Sequence, residues 1–135
     1  MMQPQDDYFL AGLLNVLTGP DVTADVSLAI GGLLVSGTPI SEVEYPRLLG
    51  EGFGEAFDRS GGAGAGDPLR ETFRVLGEQI PAQQGGQSAF IHLKDAVVYG
   101  AGTATIASSH WRGRLADVAG WCIGRAGDRP IPRGG

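Results

Sequence analysis

The residues that could carry chemistry are few and lie mostly in the C-terminal third of the chain. His92 and His110 are the two histidines, and Cys122 is the single cysteine. These three cannot build a zinc site of ordinary spacing, and one cysteine allows no internal disulfide. His92 could pair with Ser88 or Asp95, but neither a nucleophile elbow nor a catalytic triad surrounds them. We therefore expect no enzymatic activity, no metal and no cofactor.

Two further features have simple structural interpretations. The glycine-rich run at residues 61–66 lacks the Lys-Ser/Thr pair of a phosphate-binding loop, and no strong strand precedes it. A flexible linker is the better interpretation. Cys122 lies in the apolar run Gly120-Trp-Cys-Ile123, which predicts a buried thiol in the core.

Charge is distributed unevenly along the chain, which favours an interaction role. Residues 1–80 hold 12 acidic residues and 4 arginines, whereas residues 81–135 hold 3 aspartates and 6 lysines and arginines. The net charge of −5 disfavours general binding to nucleic acids, which needs clustered basic residues. Ordinary solvated faces are the alternative interpretation. The candidate interaction surface combines basic residues, a neighbouring tryptophan and acidic residues of the middle region: Lys94, Trp111, Arg112, Arg114, Glu51, Glu55 and Asp58.

Simpler roles exist for two of these residues. Arg112 could pair with a carboxylate, while Gly113 marks a turn or a close approach of the backbone. Trp111 and Trp121 are ten residues apart and could share a layer of the core. An exposed tryptophan would instead indicate an interface.

The elements that position these side chains follow from the hydrophobic periodicity. Apolar residues at helical spacing predict a first helix, and alternating runs predict strands before and after a helical region. Gly31 and Gly32 predict a tight hairpin turn, and Gly37 predicts a bulge within a strand. We expect one domain with this order: helix 6–17, strands over about 22–40, a helical and glycine-rich insertion over 41–87, C-terminal strands over 88–125, and a flexible tail over 126–135.

The ends and hydropathy of the chain predict its location. No apolar run approaches the roughly 20 residues of a membrane span. The N-terminal residues before the first helix are acidic, unlike a signal peptide. We therefore expect a cytoplasmic protein without a membrane partner.

Three blocks of the sequence resemble the family of gas vesicle accessory protein U. They are Val26–Tyr45, Phe90–Val97 and Trp111–Gly124. Their order and spacing carry the resemblance, which spans most of residues 20–125. It implies a cytoplasmic, non-enzymatic protein that influences the assembly, size or clustering of gas vesicles, with the vesicle shell or other gas vesicle proteins as partners.

The chain is also similar, more distantly, to Sm-like proteins. Asp95-Ala96 resembles the end of their third strand, and Trp111-Arg-Gly113 resembles their closing motif. The resemblance implies a mainly β (α+β) fold. It would be a strongly bent five-stranded barrel with an N-terminal helix, a helical insertion between strands 2 and 3, and assembly into a homo-oligomer. An Sm-like RNA-binding ring is the alternative function, although the residues that read a base have no counterpart near Ser41–Tyr45.

Overall fold

A computed structural model describes residues 7–79, 89–100, 105–107 and 110–126. The last part of the predicted insertion, residues 80–87, and all but the first residue of the predicted tail lie outside these residues, as does Ser88. The elements in chain order are α1 (Tyr8–Leu17), β1 (Val26–Ile30), β2 (Leu33–Ile40), α2 (Glu44–Gly61), α3 (Asp67–Glu78), β3 (Phe90–Tyr99), β4 (Thr105–Ala107), β5 (His110–Arg114), a 3-10 turn (Leu115–Asp117) and β6 (Val118–Ile123).

The strands form one antiparallel sheet with the order β4-β3-β2-β1-β6. Strands β4 and β5 pair with successive parts of β3, so the sheet is five strands wide. Among the described strands the two ends of this path do not pair, and the sheet is not closed. The expected Sm-like barrel is therefore not confirmed. Since the helices are 10, 18 and 12 residues long, the protein is mixed α/β rather than mainly β.

Glycines shape the sheet at two of the predicted positions. Gly31 and Gly32 turn β1 into β2 with φ values of 55° and 80°, a region that glycine adopts without strain. The register between β2 and β3 shifts at Gly37. A Cβ there would lie 3.0 Å from the Leu93 Cβ, so only glycine allows the two strands to approach this closely. On the facing strand Asp95 takes a φ of 51°, and the sheet is irregular at this point.

Helix α1 covers one face of the sheet and supplies part of the core. Asp7 caps the helix, because its Oδ1 accepts a hydrogen bond from the Leu10 amide at 3.0 Å. Leu10, Leu28 and Leu93 are fully buried where helix and sheet meet. The core as a whole is apolar: Leu10, Ala11, Leu17, Val26, Leu28, Val35, Ile91, Leu93, Ala96 and Leu115.

Helices α2 and α3 form a tight hairpin, and the glycine run between them is where a flexible linker was expected. Gly54 faces Arg70 and Gly66, and a Cβ on Gly66 would overlap the backbone of Gly54. Asp58 closes the turn: its Oδ1 accepts from the Gly66 amide at 2.8 Å and its Oδ2 from Arg70 at 2.6 Å. The linker interpretation of the glycine run is therefore wrong, because close helix packing and this carboxylate define the turn.

Residues 124–126, which follow β6, contact the face of the sheet that lies opposite the core. Ser27 and Ser36 are buried there, and their hydroxyl oxygens lie 2.7 Å apart. Four side chains hold residues 124–126 through these bonds: the Ser27 hydroxyl to the Gly124 carbonyl (2.7 Å), the Ala126 amide to the Ser36 hydroxyl (2.8 Å), the Tyr99 hydroxyl to the Ala126 carbonyl (2.9 Å) and Arg125 Nε to Asp25 Oδ2 (3.0 Å).

Candidate interaction face

The ladder between β3 and β5 gathers the basic residues of the C-terminal region. Residues directly opposite each other in a ladder share a face, as do alternate residues along one strand. Ile91 and Leu93 belong to the opposite face and are buried in the core. The cross-strand pairs on the outer face are Phe90 with Arg114, His92 with Arg112, and Lys94 with His110. We call the outer-face cations Lys94, Arg112 and Arg114 the basic face.

Arg112 is held at the centre of this face by two neighbours. Its Nε donates a hydrogen bond to His92 Nε2 at 3.1 Å. Its guanidinium lies over the Phe90 ring, 3.7 Å from the centroid, which is a cation–π contact. These contacts fix the direction of the guanidinium without neutralising it. Pairing of Arg112 with a carboxylate, the simpler interpretation of the sequence, does not occur among the described residues.

His92 is neutral at neutral pH because its surroundings disfavour the charged imidazolium. Only 4% of its surface is exposed, and burial, reinforced by the Arg112 charge, lowers the pKa of His92 to about 4. The Tyr45 ring at the start of α2 covers the imidazole, with 4.8 Å between the ring centroids. Burial also lowers the pKa of His110 and raises that of Tyr45. The positive charge of the face at neutral pH therefore resides in its three cations.

Four of the five other arginines that the structure describes form ion pairs, and the fifth, Arg59, forms none among the described residues. Arg47, Arg70, Arg74 and Arg125 each pair with carboxylates. In the described part of the chain, no carboxylate forms an ion pair with any cation of the basic face. Two of the three, Arg112 and Arg114, are exposed. The face therefore carries uncompensated positive charge on a protein whose total charge is negative.

The remaining candidate residues form no ion pair with this face within the described part of the chain. Trp111 lies on the opposite side of β5, where it packs against the core, and its ring occupies the space that a Cβ on Gly113 would fill. On α2, Glu51 pairs with Arg47. Asp58 pairs with Arg70, as described above, and Glu55 is exposed. No ion pair joins these acidic residues to the basic face within the described residues.

The sequence did not predict the contacts that hold Arg112 and His92 in place, and it predicted the wrong environment for the cysteine. The alternation along β3 places His92 and Lys94 on one side, but nothing local indicates the register with β5 or the cover by Tyr45. Cys122 is exposed, so the expectation of a buried thiol is wrong. The reason is that β6 is an edge strand in which Trp121, and not its neighbour, faces the core.

The arrangement defines a small mixed α/β protein with an open antiparallel sheet, a helical hairpin and one face on which three cations lie together. Among the described residues no group of His, Cys, Asp and Glu could hold a metal ion, and no helix is long and apolar enough to cross a membrane. The family model for gas vesicle protein GvpU-like matches residues 7–126. Since the match spans most of the chain, the protein belongs to the GvpU-like family of gas vesicle proteins. No curated protein and no solved structure matches the chain.

Proposed function

We propose that this protein is a non-enzymatic accessory protein of gas vesicle formation that works as a homo-oligomeric interaction module in the cytoplasm. The observation that carries the proposal is the family match over residues 7–126. In this role the protein binds the vesicle shell or another gas vesicle protein and so influences vesicle assembly, size or clustering.

The basic face is the proposed contact with the vesicle partner. Its three cations make no ion pairs among the described residues, and Arg112 is preoriented by Phe90 and His92. Preorientation lowers the entropic cost of binding, and uncompensated charge favours a partner with exposed carboxylates. The proposed partner surface is therefore acidic. Because exposed charges are screened by salt, attachment should weaken as ionic strength rises.

Self-association is the second part of the proposal. Strand β6 is bonded to β1 on one side only, and β5 to β3 on one side only, so the described sheet has two open edges. Such edges invite strand pairing with another chain. We further propose that the copies assemble as Sm-like proteins do. The antiparallel order of the strands and the N-terminal helix on one face of the sheet support this part of the proposal. Several copies of one weak face on an oligomer would bind a vesicle with avidity.

The test is flotation of the purified protein with intact gas vesicles, because buoyant vesicles carry bound protein upward. We expect co-flotation at low salt that decreases as salt is raised. A variant in which Lys94 and Arg114 are changed to glutamine should float less, whereas Arg59→Gln, which removes an exposed cation on α2, should float as the parent does. A folded protein that stays in the infranatant at every salt concentration would overturn the proposal, and binding to RNA would then be measured.

A further inference from the structure

The helical hairpin has one charged face and one apolar face. On the charged face, three arginines each form ion pairs with two acidic residues of the hairpin. Arg47 pairs with Glu44 and Glu51, Arg70 with Asp58 and Asp67, and Arg74 with Glu71 and Glu78. The other face carries side chains at helical spacing: Phe53 and Phe57 on α2, and Leu69, Phe73 and Leu76 on α3. We call these five residues the hairpin patch.

The patch is continuous across the two helices and is partly exposed to solvent. Phe53 and Phe73 are stacked nearly parallel, with 5.8 Å between ring centroids and 7° between ring planes. Phe53, Phe57 and Leu76 are 47%, 50% and 48% exposed. Close packing at Gly50 and Gly54 holds the helices near enough for the two rows of side chains to merge. A protein normally buries such a surface or uses it.

We propose that the hairpin patch is an interface between two copies of this chain, which meet as two antiparallel hairpins and form a four-helix packing unit. This inference refines the self-association in the proposed function and does not depend on attachment to vesicles. It is separate from any pairing of sheet edges.

Charge is the first reason that the occupant is a second copy. The patch residues carry no charge, while the arginines of the ion pairs extend over the opposite face. A charged partner such as a nucleic acid or a lipid headgroup would find nothing to bind here. In a two-fold interface the same patch of each copy faces the other, so the patch must be complementary to itself. An uncharged apolar patch meets this requirement, because no like charges are brought together.

Area is the second reason. Half-exposed phenylalanines each present about 100 Å², and the whole patch presents roughly 400 Å². Two patches together thus bury roughly 800 Å² of apolar surface before any flanking residue is counted. Specific interfaces begin at roughly 1,200 Å², so flanking residues of the two helices would have to supply roughly a third of the buried area.

The experiment compares the mass of the full chain in solution, by sedimentation equilibrium, for Phe57→Glu, Leu76→Glu and the parent. A two-fold hairpin interface requires both helices, so each variant should lower the mass at least two-fold at a concentration where the parent is associated. Val75→Glu is the matched control. Val75 is 38% exposed but lies about 100° around α3 from Leu76, off the patch, so its variant should keep the parent mass.

The outcomes separate this inference from the proposed function. A monomeric parent at all concentrations overturns both the interface and the homo-oligomer. An oligomeric parent whose mass is unchanged in both patch variants overturns the interface alone. Circular dichroism melts that match the parent establish that each variant is folded, and flotation measured in parallel reports on vesicle attachment independently.

Discussion

The Trp121 indole donates a hydrogen bond to the carboxylate of Asp7 at 2.7 Å, across 114 residues of sequence. The same carboxylate caps α1 through its other oxygen. One side chain thus caps the N-terminus of α1 and joins it to β6, the last of the described strands in the chain. Both bonds favour the ionised form and lower the pKa of Asp7.

Replacing Asp7 with alanine should destabilise the fold by about 1–2 kcal/mol at neutral pH, because a helix cap and an indole partner are lost together. Since the folded pKa is depressed, this stability is present above the unfolded pKa of about 3.9 and is lost as pH falls through the folded value. Urea denaturation at pH 7 and at pH 3 measures the difference. Asp21→Ala, an exposed carboxylate, is the control, and a gap from the parent that stays constant with pH would contradict the assignment.

Ser36 tests the segment that crosses the outer face of the sheet. Its hydroxyl is fully buried, lies 2.7 Å from the Ser27 hydroxyl and accepts a bond from the Ala126 amide. Ser36→Ala should cost about 1–3 kcal/mol, because the Ala126 amide loses its acceptor and the buried Ser27 hydroxyl keeps only the Gly124 carbonyl as a partner. Ser60→Ala, at an exposed position of α2, should leave stability unchanged or slightly raised. Equal urea midpoints for the two variants would speak against this role.

Two glycines of α2 should respond oppositely to alanine. At Gly50 a Cβ would lie 2.7 Å from the Phe73 Cβ, so Gly50→Ala should destabilise the hairpin by separating the helices. At Gly52 the nearest atom, His110 Cε1, is 3.5 Å away, and the position is exposed. Gly52→Ala should therefore stabilise the helix by about 0.5–1 kcal/mol. Thermal melts of the two variants should fall on opposite sides of the parent.

Local chemistry predicted the parts of the fold that depend on neighbouring residues. The turn at Gly31–Gly32 follows from the positive φ that glycine adopts without strain, and the irregularity at Gly37 follows from the absence of a side chain; the structure confirms both. The length of α2 was not predictable from propensity, since Gly50 and Gly54 disfavour a helix in isolation. These glycines stabilise the hairpin only because α3 packs closely against them, and the sequence of α2 alone does not reveal this tertiary contact.

The candidate site was predictable to a similar degree. The sequence singled out Lys94, Arg112 and Arg114 by their charge, and the structure brings them to one face through the pairing of β3 with β5. That register joins segments about 20 residues apart, so no local pattern encodes it. The same register turns Trp111 to the other side of the strand, toward the core.

His92 should make the fold sensitive to acid. The unfolded chain takes up a proton near pH 6.5, whereas the buried imidazole, which accepts from Arg112, does so only near pH 4. Between these values the unfolded state binds more protons, so stability falls as pH is lowered, by an amount on the order of 3 kcal/mol across the window. His92→Gln keeps an acceptor for Arg112 but does not titrate. Its free energy of unfolding, measured in urea from pH 7 to pH 4, should therefore decline less than that of the parent. Parallel declines would mean that other groups carry the acid response.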